Sequence, residues 1–450
     1  MVDGMKSIEQ QRGNHKNMTS ESATTAAASA GHASNGSSSY SLDLRIFVFG
    51  LFFIFGGITS LNDVIIPKLK ALFTLTYADA MLVQSAFFAA YFIISLPAAA
   101  IVERFGYMRT AVIGLVLMTA GCLLFVPASA SGLFAMFLFA LFVLAAGITT
   151  VQVVANPLIS MLGVPATAHS RLTFAQAFNS LGTTIFPYVG SILILGSLAT
   201  VNPAALSGAA LNAFHVAATR VVEHTYLGLA AALLVVAVLV WLRRNRLAET
   251  QAEPSNILKA FTLLGRPRFG FGALCIFLYV GAEVSIGSVI VSYLMQPSVM
   301  GIAAEAAGKH VPFYWGGAMV GRFIGAYFLR VFSPGKVLAC VATLAITLIL
   351  VSTNTTGLLS GWALLAIGLC NSIMFPTIFT LASEGLGLRA AEGSGIICMA
   401  IVGGAVVPLV TGHAADMAGL SIALAIPAIC YAVIVAFGIY ARRPALSRGP

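Results

Sequence analysis

After a polar stretch of about 44 residues, the chain alternates between long apolar runs and short polar gaps. Twelve apolar segments can be read, at 46–66, 80–101, 110–127, 133–155, 172–197, 224–242, 269–294, 312–330, 336–353, 357–382, 394–412 and 420–440. Their lengths lie near the ~20 residues that a helix needs to cross a bilayer core, and the Gly and Pro inside several are tolerated in membrane helices. The pattern predicts an all-α membrane protein with twelve transmembrane helices. Residues 1–44 are rich in Ser, Ala, Thr, Asn and Gly and lack the apolar run and cleavage pattern of a signal peptide. They read as a disordered tail in which Met18 is an alternative start.

Composition removes the soluble alternative. The 450 residues are 59% hydrophobic and 9% charged, against roughly a quarter charged in a soluble domain. The net charge of +9 does not point to nucleic acid, because that requires Lys and Arg clustered on a solvated face. Here they sit in the gaps between apolar runs, where they set topology. With both termini cytoplasmic, the inner positions hold nineteen of the 24 positive residues, outer loops hold Lys68, Lys70, Arg220 and Lys309, and Arg322 falls within a span. Positive residues collect on the inner side, so this orientation is expected, in a cell inner membrane.

The longest inner loop, 243–268, carries six of those positives and separates residues 45–242 from 269–441, leaving a short inner tail at 442–450. The two six-helix halves echo each other. Pro157 and Pro187 are matched by Pro376 and Pro408 at offsets of 219 and 221, and Val64-Ile65-Ile66 resembles Val289-Ile290-Val291 at an offset of 225. Repeated halves about a basic loop predict a transporter with its site near the midplane between them.

Charges inside spans are the informative residues, since each costs on the order of 3 kcal/mol at the bilayer centre. Three stand out: Asp63, Glu283 and Arg322. Burial disfavours an ionised carboxylate and so suits it to taking and releasing a proton near neutral pH, which makes Asp63 and Glu283 the candidates for proton coupling. Glu283 lies in the helix of the second half that corresponds to Asp63's, about a turn from strict equivalence. A structural alternative is a carboxylate that merely pairs with Arg322. Gly317, Gly321 and Gly325 give the helix of Arg322 a small-residue face for close packing.

Uncharged polar residues cluster in the first half. Gln152 and Asn156 are four apart and Gln176 and Asn179 three apart, so each pair shares a helix face. Amides offer donors and acceptors together, as a polyhydroxyl ligand requires. Helix-to-helix hydrogen bonding is the alternative use. Asn62, Gln84, Asn371 and Phe375 complete the candidate substrate wall. The six cysteines fall in separate apolar segments and read as small core residues; neither a metal site nor a cofactor is expected, nor an enzyme. No GxxxxGK[ST] sequence occurs, which leaves an ion gradient as the power source.

At these residues the chain resembles the major facilitator superfamily and, within it, the fucose–galactose–glucose:proton symporter branch. The matching stretches include LNDVIIPKLKALFTLTYADAMLVQSAFFAAYFIISLPA, GITTVQVVANPLISMLG, SRLTFAQAFNSLGTTIFPYVGS, YVGAEVSIGS, VGRFIGAYFLRVFSPGKVL, NSIMFPTIFTLASEGLG and GSGIICMAIVGGAVVPLVTGHAAD. The ERFGYMR loop is a loose version of the superfamily's gating-loop motif, which gives Glu103, Arg104 and Arg109 an inner-gate role. The resemblance implies that Asp63 couples protonation to sugar binding and that Gln176, Asn179 and Arg322 line the central cavity. Gln152, Glu283 and Phe375 stand where fucose permeases have an acid, a Gln and a Tyr, and are as in glucose/galactose members.

The expectation is therefore a secondary active carrier, functional as a monomer in the bilayer, that takes up a hexose with a proton by alternating access. Glucose or galactose is the favoured substrate. L-fucose, another sugar such as N-acetylglucosamine, sodium coupling, and proton-driven export of amphipathic compounds are the alternatives.

Overall fold

The computed structural model describes residues 44–61, 77–131, 133–190, 208–245 and 257–442. The chain divides into a short unit, Met1–Phe47, whose described residues are helical, and one compact unit, Val48–Pro450. Among the described residues every regular element is a helix. Ten of these are long and apolar enough to cross a membrane: α1 Leu44–Leu61, α2 at Tyr77–Phe105, α3 Tyr107–Ser131, α4 Phe134–Met161, α6 at Gly208–Arg243, α7 Pro267–Leu294, α9 Pro334–Asn354, α10 Gly357–Ser383, α11 Gly387–Ala418 and α12 Leu420–Tyr440. Two more complete the bundle, α5 (Ala168–Gly190) and α8 (Val311–Val331). Both fall short of that apolarity, and they are the helices that carry Gln176, Asn179 and Arg322. The site's own polar residues dilute the hydrophobic signal of the helices that hold it.

Most helices occupy the expected segments, with ends shifted by a few residues. Helix α6 is the exception. It begins at Gly208, well ahead of the apolar run expected from 224, because residues such as Asn212, His215 and Arg220 lack a lipid signature yet still form a helix. The basic loop between the halves is structured in part, with a 3₁₀ turn at Ile257–Gly265. Helix α10 is broken into Gly357–Asn371 and Met374–Ser383, and α11 is interrupted between Ala400 and Gly403.

Local sequence explains the tightest joints. Helices α2 and α3 are separated by Gly106 alone, whose φ of 83° lies in the left-handed region that costs other residues roughly 1–2 kcal/mol. On α8, a Cβ at Gly317 would stand 3.3 Å from Leu369 N, and one at Gly321 would stand 2.8 Å from Leu369 O. The small face therefore brings α8 onto α10 at backbone contact.

Helices α2, α3, α4 and α6 pack on one another, with α5 against α4 and α1 against α5; α7, α9, α10 and α12 do likewise, with α8 against α10 and α11 against α7. Among the described residues, these groups meet where α2 and α4 pack on α11 and where α5 packs on α8 and on the second part of α10.

The central cavity and its proline-freed carbonyls

A cavity of about 160 Å³ opens between the two groups. Gln152 of α4 and Gln176 and Asn179 of α5 line it beside Phe55, Gly56 and Thr59 of α1, Tyr91 of α2 and Thr183. Tyr279, Val280 and Glu283 of α7, Arg322 of α8, Phe375 of α10 and Ile401 complete it. The first wall is neutral and rich in amides and hydroxyls, whereas the second holds the charges.

Hydrogen bonds fix the orientation of these groups. Tyr91 Oη donates to Gln152 Oε1 at 2.8 Å, so the amide's nitrogen is left for the cavity. Asn179 Nδ2 donates to Phe52 O at 3.4 Å. Among the described residues, Arg322 is bound by backbone and hydroxyl oxygens. Its Nε donates to Ser372 O at 3.2 Å, and its Nη1 donates to Gln176 O at 3.2 Å and to Ser180 Oγ. One guanidinium thus ties α8 to both α10 and α5.

The acceptor at Ser372 follows from sequence. Pro376 has no N–H, and its ring displaces the carbonyl four residues back, which is that of Ser372. Arg322 supplies the missing donor. In α4, Pro157 frees the carbonyl of Val153 in the same way, and Ser394 Oγ of α11 donates to it at 2.8 Å.

Behind the charged wall lies a tyrosine cluster. Tyr279 Oη is 2.8 Å from Glu283 Oε1 and 3.0 Å from Asn371 O. Asn371 Nδ2 donates to Tyr314 Oη at 2.8 Å, Tyr314 Oη donates to Glu283 O at 3.1 Å, and Tyr431 Oη donates to Asn371 Oδ1 at 2.7 Å.

At the end of the bundle where α4 meets α5, the two groups close on each other. Ser170 Oγ donates to Ala326 O at 2.6 Å and accepts from Arg330 Nε at 3.0 Å. His169 Nε2 lies 3.3 Å from Glu384 Oε1, its Nδ1 pairs with Thr380 Oγ1, and Arg268 pairs with the same carboxylate. A Cβ on Gly395 would stand 2.8 Å from that of Ala99, so α2 and α11 are also in direct contact there.

The structure gathers Gln152, Gln176, Asn179, Glu283, Arg322 and Phe375 on one cavity. Asn156 and Asn371 are fully buried and stand off its wall. Asn62 and Asp63 lie outside the described residues, as does the side chain of Gln84. Glu103 is buried, while Arg104 and Arg109 are exposed. No group of three or more His, Cys, Asp or Glu gathers among the described residues. Of the cysteines, Cys340 is exposed and the other five are buried, so the core-residue expectation fails for Cys340 alone. Sequence reasoning missed Tyr91, Tyr279, Tyr314 and Tyr431, and with them His169, Ser170 and Glu384. Only Tyr279 carried a local signal, four residues ahead of Glu283 on one helix face.

Comparison with other proteins places this geometry. A glucose/galactose transporter of Brucella abortus is 47% identical over 391 residues, which cover 86% of this chain and 92% of that protein. The L-fucose-proton symporter of Escherichia coli is 34% identical over 399 residues, 86% of this chain and 90% of that one. The crystal structure of the transporter FucP in the outward conformation superposes with a TM-score of 0.82 at 32% identity, over 90% of this chain and 100% of that chain. The sequence model of the Major Facilitator Superfamily matches residues 48–406. With a helical bundle that opens a polar cavity between two groups of helices, the chain belongs to the Major Facilitator Superfamily.

Proposed function

We propose that this chain is a proton-coupled sugar carrier that takes up a hexose, glucose or galactose before fucose, across the cell inner membrane. The observation that carries this reading is the two-sided cavity. Neutral amides and hydroxyls on one wall match a ring of sugar hydroxyls, and Glu283 with Arg322 on the other supplies ionisable chemistry in a place where charge is costly. The resemblance to named glucose/galactose and fucose–proton carriers supports the same assignment.

In this reading the halves 45–242 and 269–441 rock about the cavity, both termini face the cytoplasm, and the contacts of His169, Ser170, Arg330 and Glu384 form the closed inner gate. Glu103, Arg104 and Arg109 belong to that inner side. Asp63 and Glu283 are the coupling acids, and the carrier works as a monomer. Sugar binds between Gln152, Gln176, Asn179 and Arg322, and Phe375 offers it an apolar face.

The test is the external pH of lightly buffered, de-energised cells that express the protein. Adding glucose or galactose should alkalinise the medium, L-fucose should do so less, and Asp63→Asn should abolish the signal. Sugar uptake that follows sodium without moving protons would replace the coupling ion, and absence of uptake for every sugar would sink the reading.

A further inference from the structure

Tyr279 and Glu283 leave the same face of α7, and the tyrosine hydroxyl reaches two acceptors, Glu283 Oε1 at 2.8 Å and Asn371 O at 3.0 Å. A phenol has one proton to donate. With Glu283 ionised, that proton is drawn to the carboxylate, because a charged acceptor makes the stronger bond, and Asn371 O is left with the weaker share. With Glu283 protonated, the carboxylic acid donates to Tyr279 Oη, and the tyrosine proton goes to Asn371 O. No proton is exchanged between residues in this change; the Tyr279–Glu283 bond reverses direction and the tyrosine proton turns to Asn371 O.

The rest of the cluster has no such choice. Tyr431 donates to Asn371 Oδ1, Asn371 Nδ2 donates to Tyr314, and Tyr314 donates to Glu283 O. Each of these donors is aimed at a single acceptor. Asn371 also ends the first part of α10. The next carbonyl, that of Ser372, is the one freed by Pro376 and held by Arg322. Tyr279 and Arg322 therefore hold two successive carbonyls at the break, just before the cavity residue Phe375.

We propose that Tyr279 is a positioning residue that passes the protonation state of Glu283 to the break in α10, and so to Arg322 and Phe375 on the cavity wall. The proposal rests on the reading of the chain as a proton-coupled carrier. Among the described residues, the titratable and charged groups around Glu283 are Tyr279 on its own helix, Tyr314 and Arg322 from α8 and Tyr431 from α12, with the thiols of Cys370 and Cys430 beside Tyr431. From across the cavity, α4 and α5 present the amides Gln152, Gln176 and Asn179, which do not titrate.

The experiment uses the full chain in proteoliposomes and measures sugar affinity across neutral pH, sugar exchange and proton-driven accumulation. Tyr279→Phe keeps the ring and deletes the shared proton. Accumulation should fall at least about tenfold but exchange only about threefold, and a pH dependence of affinity of about fivefold in the parent should flatten to below about twofold. Tyr279→Phe added to Glu283→Gln should cost nothing beyond the single change, because both lie on one path.

A Tyr279→Phe carrier with the parent's pH profile, equal losses of exchange and accumulation, or additive losses in the double variant would each overturn the proposal. If the parent itself moves no protons with sugar, the functional reading fails rather than the relay. Should Tyr279→Phe not assemble, infrared difference spectra of the parent carry the test: the Glu283 carboxyl band and a tyrosine C–O band should shift together on sugar binding, and a fixed tyrosine band would overturn the relay.

Discussion

Helices α4 and α10 each carry a proline that strips the hydrogen bond from a carbonyl four residues back, and the two carbonyls find donors of different character. Val153 O takes the short, neutral hydroxyl of Ser394, which reaches across from α11. Ser372 O takes the long, charged guanidinium of Arg322 from the neighbouring α8. Helix α4 runs unbroken from Phe134 to Met161, whereas α10 breaks at Asn371. The same backbone defect therefore serves as a latch between the two groups of helices in one place and as part of the cavity wall in the other.

If that contrast is correct, removing Arg322 should have the largest effect. Arg322→Ala deletes donors to Ser372 O, Gln176 O and Ser180 Oγ, and hydrogen bonds from a charged group contribute about 1.5–3 kcal/mol each. Initial uptake at matched expression should fall at least about a hundredfold. Arg322→Lys should recover little, because a point-like ammonium cannot span acceptors on α5 and α10 as a planar fork does.

The prolines sharpen the contrast at a smaller scale. Pro376→Ala restores an N–H that competes with Arg322 for Ser372 O, and Pro157→Ala restores one that competes with Ser394 for Val153 O. The first substitution disturbs a group on the cavity wall and should weaken sugar affinity about tenfold; the second should leave affinity within about threefold of the parent. Titrated uptake with both variants decides the matter, and equal effects would erase the distinction between latch and wall.

How much of this was legible in the sequence differs between the two helices. Both prolines were visible as a repeat, and each names the carbonyl it frees by counting back four residues. The donors were not visible. Ser394 lies 241 residues from Val153 in sequence, and nothing in a lone serine marks it as a partner. Arg322 stood out because a charge in a span is costly, yet nothing in the sequence marked Ser372 O, Gln176 O and Ser180 Oγ as acceptors for it. The twelve segments were readable since lipid imposes a length and a composition on each. The break in α10 and the early start of α6 were not, because neither alters hydropathy. The tyrosine cluster was hidden for a related reason. Tyr314 and Tyr431 count as ordinary apolar positions until folding brings them within reach of Asn371.

The smallest effect belongs to the latch. Ser394→Ala removes one neutral hydrogen bond, which contributes about 1 kcal/mol, and it should raise the fraction of carriers open at that end about fivefold. Ala99 is 3% exposed and packs against Gly395 when the end is closed, so a thiol placed by Ala99→Cys reports opening through its rate of alkylation. That rate should rise about fivefold with Ser394→Ala. In a Pro157→Ala background the carbonyl of Val153 already has an N–H, and the gain from losing the serine should shrink to about twofold or less. An unchanged gain in that background would mean that Ser394 acts through packing against α4, and the freed carbonyl would then have no part in holding the end shut.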